Sequence, residues 1–315
     1  MQKKWVCALL ATLVVSLWGL TFVSLRVALD NFTPSQVMLL RCVIAYISLV
    51  IIYPKFHPSE GLKQELLYLV AGACGTTFYI VLANYALLNT MASNVSVLSS
   101  TSPIFVALLA PFFFSDERFS KRIFLGLLIA MAGTVFVVTN GNFNVKLSPL
   151  GDFLALASAA CWAFYSLVLR KIKTPYKQLY VTRRIFLYGI LVVIPFCIFE
   201  GSPMNFAALQ EPMVVLNLLF LGLVAYTFCH TVWALVIKGM GAVWSSRFTY
   251  LTPIVTIIAS AFILDEKIGL YTVLGTALIL GGVMVSDKNM FQKKPAAESL
   301  KAAENNLSRS GISGS

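Results

Sequence analysis

The chain reads as two copies of one unit. In its first half Pro103 is followed by Asp116-Glu117-Arg118, then Gly126 and Gly133; in its second half Pro253 is followed by Asp265-Glu266-Lys267, then Gly275 and Gly282. The Glu-to-Gly spacing is nine residues in both halves, and the Gly-to-Gly spacing is seven. Trp18 precedes Arg26 by eight residues, and Trp162 precedes Arg170 by the same eight. The offset between matching positions stays between 144 and 150, the pattern left when one segment is duplicated and fused. Whatever the first half folds into, the second must fold into as well, and the two must pack together.

Composition says where that folding takes place. Hydrophobic residues make up 58% of the 315 and charged residues 12%, whereas typical soluble domains are about a quarter charged. So much apolar surface belongs in a bilayer. Ten apolar segments can be counted, at 5–25, 34–53, 66–88, 91–114, 122–139, 150–169, 180–199, 213–237, 241–264 and 269–286. About twenty apolar residues suffice for a helix to cross a hydrocarbon core of roughly 30 Å. The expected fold is therefore an all-α polytopic membrane protein with ten transmembrane helices in two five-helix repeats, 1–140 and 150–287. The polar stretch 288–315 is expected to be a disordered cytoplasmic tail. Because five is odd, the second repeat starts from the opposite side of the membrane, so the repeats are inverted. An inverted pair can hold two mirror-like conformations, each open to one side, which is the basis of alternating access.

The net charge of +11 fits this picture better than nucleic-acid binding. With the N-terminus inside, the inner connections and the tail collect Lys3, Lys4, Lys55, Lys63, Arg118, Lys121, Arg122, Arg170, Lys171, Lys173, Lys177, Lys238, Lys288, Lys293 and Lys294. The outer connections hold only Arg26, Lys146 and Lys267. That asymmetry places both termini in the cytoplasm. Six cysteines fall singly within the segments without a Cys-x-x-Cys pair, and only His57 and His230 are present. No disulfide framework, metal site or cofactor is expected.

Candidate path residues come from polar groups that recur in both halves. The fourth segment carries Ser96, Ser99, Ser100 and Pro103 on one helical face, and the ninth carries Ser246, Thr249, Tyr250 and Pro253 at the same spacing. Each proline breaks the hydrogen-bond ladder and frees the carbonyl four residues earlier, which a membrane interior tolerates only beside protein or a wet cavity. Close helix packing by small hydroxyl residues is the plainer explanation of the same stripes. Thr77 and Asn84 in the third segment match Tyr226 and Trp233 in the eighth, where His230 shares their side. Trp18 and Thr21 match Trp162 and Tyr165 in the first and sixth. Two cations, Arg41 and Arg247, lie six or seven residues inside segments and suit a substrate carboxylate or phosphate, unless they snorkel to the headgroups. Arg183-Arg184, only three or four residues into the seventh segment, are expected to anchor it at the cytoplasmic face. All thirteen acids lie in connections, at segment ends or in the tail, which leaves His230 as the one mid-span group able to titrate near neutral pH, unless it is a satisfied, permanently neutral histidine. The Asp116-Glu117 and Asp265-Glu266 pairs are expected to cap the helices that follow them. The glycine pairs of the fifth and tenth segments mark these two as scaffold.

Trp18-Gly19-Leu20-Thr21-Phe22, the run Ala86 to Ser93, Pro103-Ile104-Phe105 with Asp116-Glu117-Arg118, and Gly151-Asp152 leading to Trp162-Ala163 together resemble the EamA-type branch of the drug/metabolite transporter superfamily. The resemblance runs to about residue 287. It implies ten helices, two repeats and export or exchange of small metabolites across a bacterial inner membrane, without naming a substrate. Amino-acid-like or amphipathic solutes are the expectation, with the lipid bilayer as the other partner, nucleic acid excluded and a homodimer left open. No nucleotide-binding loop is present, so ATP is not the direct driver. Two rivals come from other classes. A non-transporting scaffold or sensor has no need of paired polar stripes, and an intramembrane enzyme acting on lipid lacks a cluster of catalytic groups.

Overall fold

A computed structural model describes residues 2–89, 98–99, 101–115, 120–139, 148–252, 254–255 and 270–286, and all regular structure among them is helical. The elements are α1 (Gln2–Leu29), α2 (Pro34–Ile52), α3 (Leu62–Gly72), α4 (Tyr79–Asn89), α5 (Ser102–Phe113), α6 (Lys121–Thr139), α7 (Pro149–Lys171), α8 (Gln178–Glu200), α9 (Pro212–Leu219), α10 (Cys229–Met240), α11 (Ala242–Ser246) and α12 (Leu270–Ser286). Among the described residues six stretches are long and apolar enough to cross a membrane: Lys4–Thr21, Pro34–Ile52, Leu62–Ala86, Pro149–Lys171, Gln178–Glu200 and Pro212–Met240. Phe112, Phe199 and Ile51 stand at the surface with most of their area uncovered. In water that would be a liability; against lipid tails it is the matched surface.

Two of the expected helices are not uniform. The third runs from α3 through a π-helical stretch, Ala73–Phe78, into α4. The eighth runs from α9 through a second π-helical stretch, Phe220–Phe228, into α10. The two wide turns occupy matching places in the duplicated sequence. Threonine hydroxyls satisfy the displaced carbonyls: Thr76 donates to the Gly72 carbonyl, and Thr227 Oγ1 to the Gly222 carbonyl at 3.0 Å. Such widened turns in otherwise regular helices concentrate at functional sites. The ninth segment also differs from a plain helix. Gly241, at φ +87°, closes α10, the short α11 follows, and Arg247–Leu251 winds on as a 3-10 turn. Ser246 and Thr249 spend their hydroxyls there on the carbonyls of Val243 and Ser246. Pro103 sits in the first turn of α5, where its missing N–H costs nothing, rather than inside a continuous helix.

Packing follows the duplication. α1 packs on α10, and its counterpart α7 packs on α4; the π-helical stretch of the eighth segment packs on α2, and that of the third packs on α8. Matching helices also meet each other, and they do so antiparallel. On α6 and α12, Arg122 Nε donates to the Val285 carbonyl at 2.8 Å, a Cβ on Gly282 would strike the Gly126 carbonyl oxygen at 2.5 Å, and a Cβ on Gly133 would strike that of Gly275 at 2.5 Å. Phe136 stacks on Tyr271 beyond them. The glycines thus bring the two backbones into contact, as expected of a scaffold pair. On α2 and α8, Thr33 and Ser35 donate to Glu200 at 2.5 and 2.7 Å at one end. At the other, Arg183 donates to the carbonyls of Tyr53 and Lys55 at 2.6 and 2.7 Å.

That last contact corrects the expected role of Arg183. It is 2% exposed and lies over the Phe56 ring, so it does not reach out to headgroups. It fastens the 53–61 connection onto the end of the bundle. Arg184 beside it pairs with Glu65, which also accepts from Tyr188 at 2.7 Å. Glu60 in the connection accepts from Tyr68 at 3.0 Å and from Thr174 of the 172–177 connection at 2.9 Å. These contacts tie the two connections to this end of the bundle.

Candidate functional site

Where the two halves meet, a cluster of aromatic side chains packs together in the core. Trp18 of α1 and its counterpart Trp162 of α7 touch edge to face, with ring centroids 5.4 Å apart. The contact joins matching positions of the duplicated sequence. Around this pair stand Trp233 (5.3 Å from Trp18), Tyr79 (5.1 Å from Trp162) and Tyr165 (5.2 Å from Trp162). His230 lies 5.6 Å from Trp18 and 4.6 Å from Tyr226, and Phe186 packs 5.5 Å from Tyr226. Edge-to-face and tilted contacts of this kind are the favoured geometry of aromatic rings.

The π-helical turn beneath supplies the polar edge. The Ala225 carbonyl accepts from Trp18 Nε1 at 3.1 Å and lies 3.1 Å from His230 Nδ1. A carbonyl only accepts, so Nδ1 of His230 carries its proton and Nε2 is left for another partner. Thr227 Oγ1 lies 2.7 Å from Ser48 Oγ of α2 and ties the turn to that helix. Arg41 of α2 is 7% exposed and rests over the Tyr226 ring, 4.3 Å from its centroid. Among the described residues three buried polar atoms find no hydrogen-bond partner here and in the adjoining core: Trp233 Nε1, Tyr250 Oη and Arg41 Nε. Buried polar atoms are nearly always satisfied, so such groups mark places where water or a solute binds.

The residues singled out in the sequence are sorted by this arrangement. Tyr226, His230, Trp233, Trp18, Trp162, Tyr165 and Arg41 come together in or beside this aromatic cluster. Thr77 is fully buried but donates to the Gly189 carbonyl at 3.2 Å, a tie between helices. Asn84 lines a separate cavity of about 220 Å³ near the Glu200 end, with Thr33, Ser35 and Tyr85. Ser99 lies 3.5 Å from Ser158 of α7. Tyr250 and Arg247 are buried on the 3-10 turn, which packs on α1, α6 and α12. Arg247 therefore does not snorkel outward. Ser96, Ser100, Pro253, the two Asp-Glu pairs and the tail lie outside the described residues. Tyr79 and Phe186 belong to the cluster and were not singled out, although Tyr79 matches the aromatic Phe228 at the offset of 149 that pairs Thr77 with Tyr226.

The architecture is that of a multi-pass membrane protein with duplicated, interlocked halves. The chain belongs to the EamA-like transporter family, whose profile matches it twice, over residues 5–139 and 149–286. An uncharacterized transporter of Archaeoglobus fulgidus is 26% identical over 290 residues, covering 90% of this chain and 98% of that protein. A probable amino-acid metabolite efflux pump of Escherichia coli is 25% identical over 285 residues, covering 88% of this chain and 93% of that protein. A crystal structure with 18% sequence identity has the same fold, with a TM-score of 0.72 over 89% of this chain and 97% of that one. The chain is thus a membrane transporter of this family.

Proposed function

We propose that the protein is a secondary carrier that exports small polar or amphipathic metabolites, amino-acid-like solutes foremost, across a bacterial inner membrane by alternating access. The observation that carries this reading is the buried aromatic cluster with its unpartnered polar atoms, built where matching residues of the two halves touch. A carrier needs a site both halves can close over, and a place where matching residues touch is near to both. The antiparallel crossings of α6 with α12 and of α2 with α8 support inversion, because a same-sense duplication would leave matching helices parallel. Ten spans in two inverted repeats, 1–140 and 150–287, with both termini cytoplasmic, complete the proposal. The polar network around Arg183, Glu60 and Glu65 then lies on the cytoplasmic side and closes it. The efflux pump among the relatives supports an amino-acid-like cargo.

Counterflow of labelled solutes in proteoliposomes tests transport. Trp233→Phe keeps the ring but removes the unpartnered N–H, and the loss of one hydrogen bond, about 1 kcal/mol, should cut transport several-fold. Flux unchanged for every solute carried would remove Trp233 from the path. Topology has its own test. A cysteine at Lys173 should be modified only from the cytoplasm and one at Ser202 only from the periplasm, and the reverse pattern would invert the orientation.

A further inference from the structure

We propose that the site beside the aromatic cluster selects monoanionic solutes that join one carboxylate to an apolar body, and that Arg41 is the group that grips the carboxylate. The inference rests on the carrier reading and specifies its cargo. Arg41 stands on the seventh residue after Pro34, about 10 Å along α2 at 1.5 Å per residue, and is 7% exposed. Gly222 lets the π-helical stretch close onto α2 at this point, because a Cβ there would strike Ile44 and approach the Arg41 carbonyl. That contact brings Tyr226 under the guanidinium, which rests 4.3 Å from the ring centroid. Tyr226 in turn lies 4.6 Å from His230, which places the charge at the edge of the aromatic cluster.

Among the described residues Arg41 has no anionic partner. The described carboxylates are committed elsewhere: Glu65 to Arg184 and Tyr188, Glu60 to Tyr68 and Thr174, Glu200 to Thr33 and Ser35, and Asp152 to the Ser148 amide. Asp30 and Glu211 stand exposed in connections. Arg41 Nε has no hydrogen-bond partner among the described residues. A desolvated cation resting only on an aromatic face is under-compensated, since burying a charge costs more than a cation–π contact returns. A ligand anion corrects the imbalance.

The shape of the charge narrows the ligand. A guanidinium fork matches a carboxylate bidentately, and one cation balances one negative charge, whereas a phosphate dianion would call for a second. Trp18, Trp162, Tyr79 and Phe186 offer the remainder of the solute an apolar wall. Among the described residues no carboxylate faces the aromatic cluster to accept an ammonium, and Arg41 repels one. N-acylated amino acids and keto or hydroxy acids therefore fit better than free amines.

Binding can be read from tryptophan fluorescence of the full-length protein in nanodiscs, because Trp18, Trp162 and Trp233 surround the site and an aliphatic ligand is silent. N-acetylleucine should bind at least tenfold more tightly than N-acetylleucine amide, which differs only in the carboxylate, and isoamylamine should not bind. Arg41→Lys should weaken N-acetylleucine binding, and Arg41→Gln should erase the acid-over-amide preference. Equal affinity for acid and amide in the wild-type protein, binding of neither, or a folded Arg41→Gln protein that keeps the preference would each overturn the proposal. If Arg41→Gln fails to fold, the wild-type acid-against-amide comparison decides alone. Counterflow separates this from the carrier reading: binding without flux defeats the carrier, and flux of other solutes without acid preference defeats the role of Arg41.

Discussion

Gly282→Ala should destabilise the purified protein by about 1–3 kcal/mol, while Gly281→Ala, one residue earlier on the same helix, should be neutral or stabilising. At Gly282 the added Cβ lands on the backbone of α6, 2.5 Å from the Gly126 carbonyl oxygen, and neither backbone has a flexible tip that can swing away. At Gly281 a Cβ meets nothing within 4 Å, so only the helical gain of alanine over glycine remains. Gly133→Ala should repeat the loss from the other side of the crossing, since its Cβ would strike the Gly275 carbonyl oxygen at 2.5 Å. Melting of the variants in detergent, followed by size-exclusion recovery after heating, measures the difference. Equal melting temperatures for Gly281→Ala and Gly282→Ala would mean that α6 and α12 do not cross at these glycines.

Arg183→Leu should be the most damaging single change at the end of the bundle that carries the 53–61 connection, costing about 3 kcal/mol or more. Hydrogen bonds from a charged donor contribute roughly 1.5–3 kcal/mol each, and Arg183 makes two, to the Tyr53 and Lys55 carbonyls. Leucine keeps much of the bulk but leaves both carbonyls without their donor. Hydrogen exchange over residues 53–61 should rise sharply, and counterflow should change with it if this connection closes the cytoplasmic side. Arg184→Gln makes a useful contrast. Its side chain is 24% exposed, so loss of its pair with Glu65 should cost well under 1 kcal/mol. Matching losses for the two variants would show that the 53–61 connection is held by something other than Arg183.

The duplication, the all-helical class and the scaffold role of the glycine pairs were legible in the sequence because each is a matter of spacing along one chain. Trp18 and Trp162 could be matched by their shared distance to Arg26 and Arg170. Nothing in that spacing says that the two tryptophans touch. Tyr79 and Phe186 escaped notice for a related reason: aromatic residues are common in membrane segments, and only packing distinguishes one that joins the buried cluster from one that faces lipid. The hydroxyl stripe of the ninth segment misled in the opposite direction. Ser246 and Thr249 share a helical face on paper, yet the backbone tightens into a 3-10 turn and takes up both hydroxyls.

The two arginines mark the boundary most clearly. Sequence placed Arg41 and Arg247 at similar depths and could not say whether either reached water, because a long side chain can snorkel or turn inward from the same backbone position. By itself the sequence determined a duplicated, bilayer-embedded helical chain with a basic bias on one set of connections, since hydrophobicity, periodicity and charge are properties of residues in order. The tertiary structure alone decided which side chains share a space. That Arg41 lies over Tyr226, that Arg183 holds a connection, and that Trp18 meets Trp162 are all contacts between residues more than a hundred positions apart. Such contacts exist only once the helices have chosen their faces and crossed.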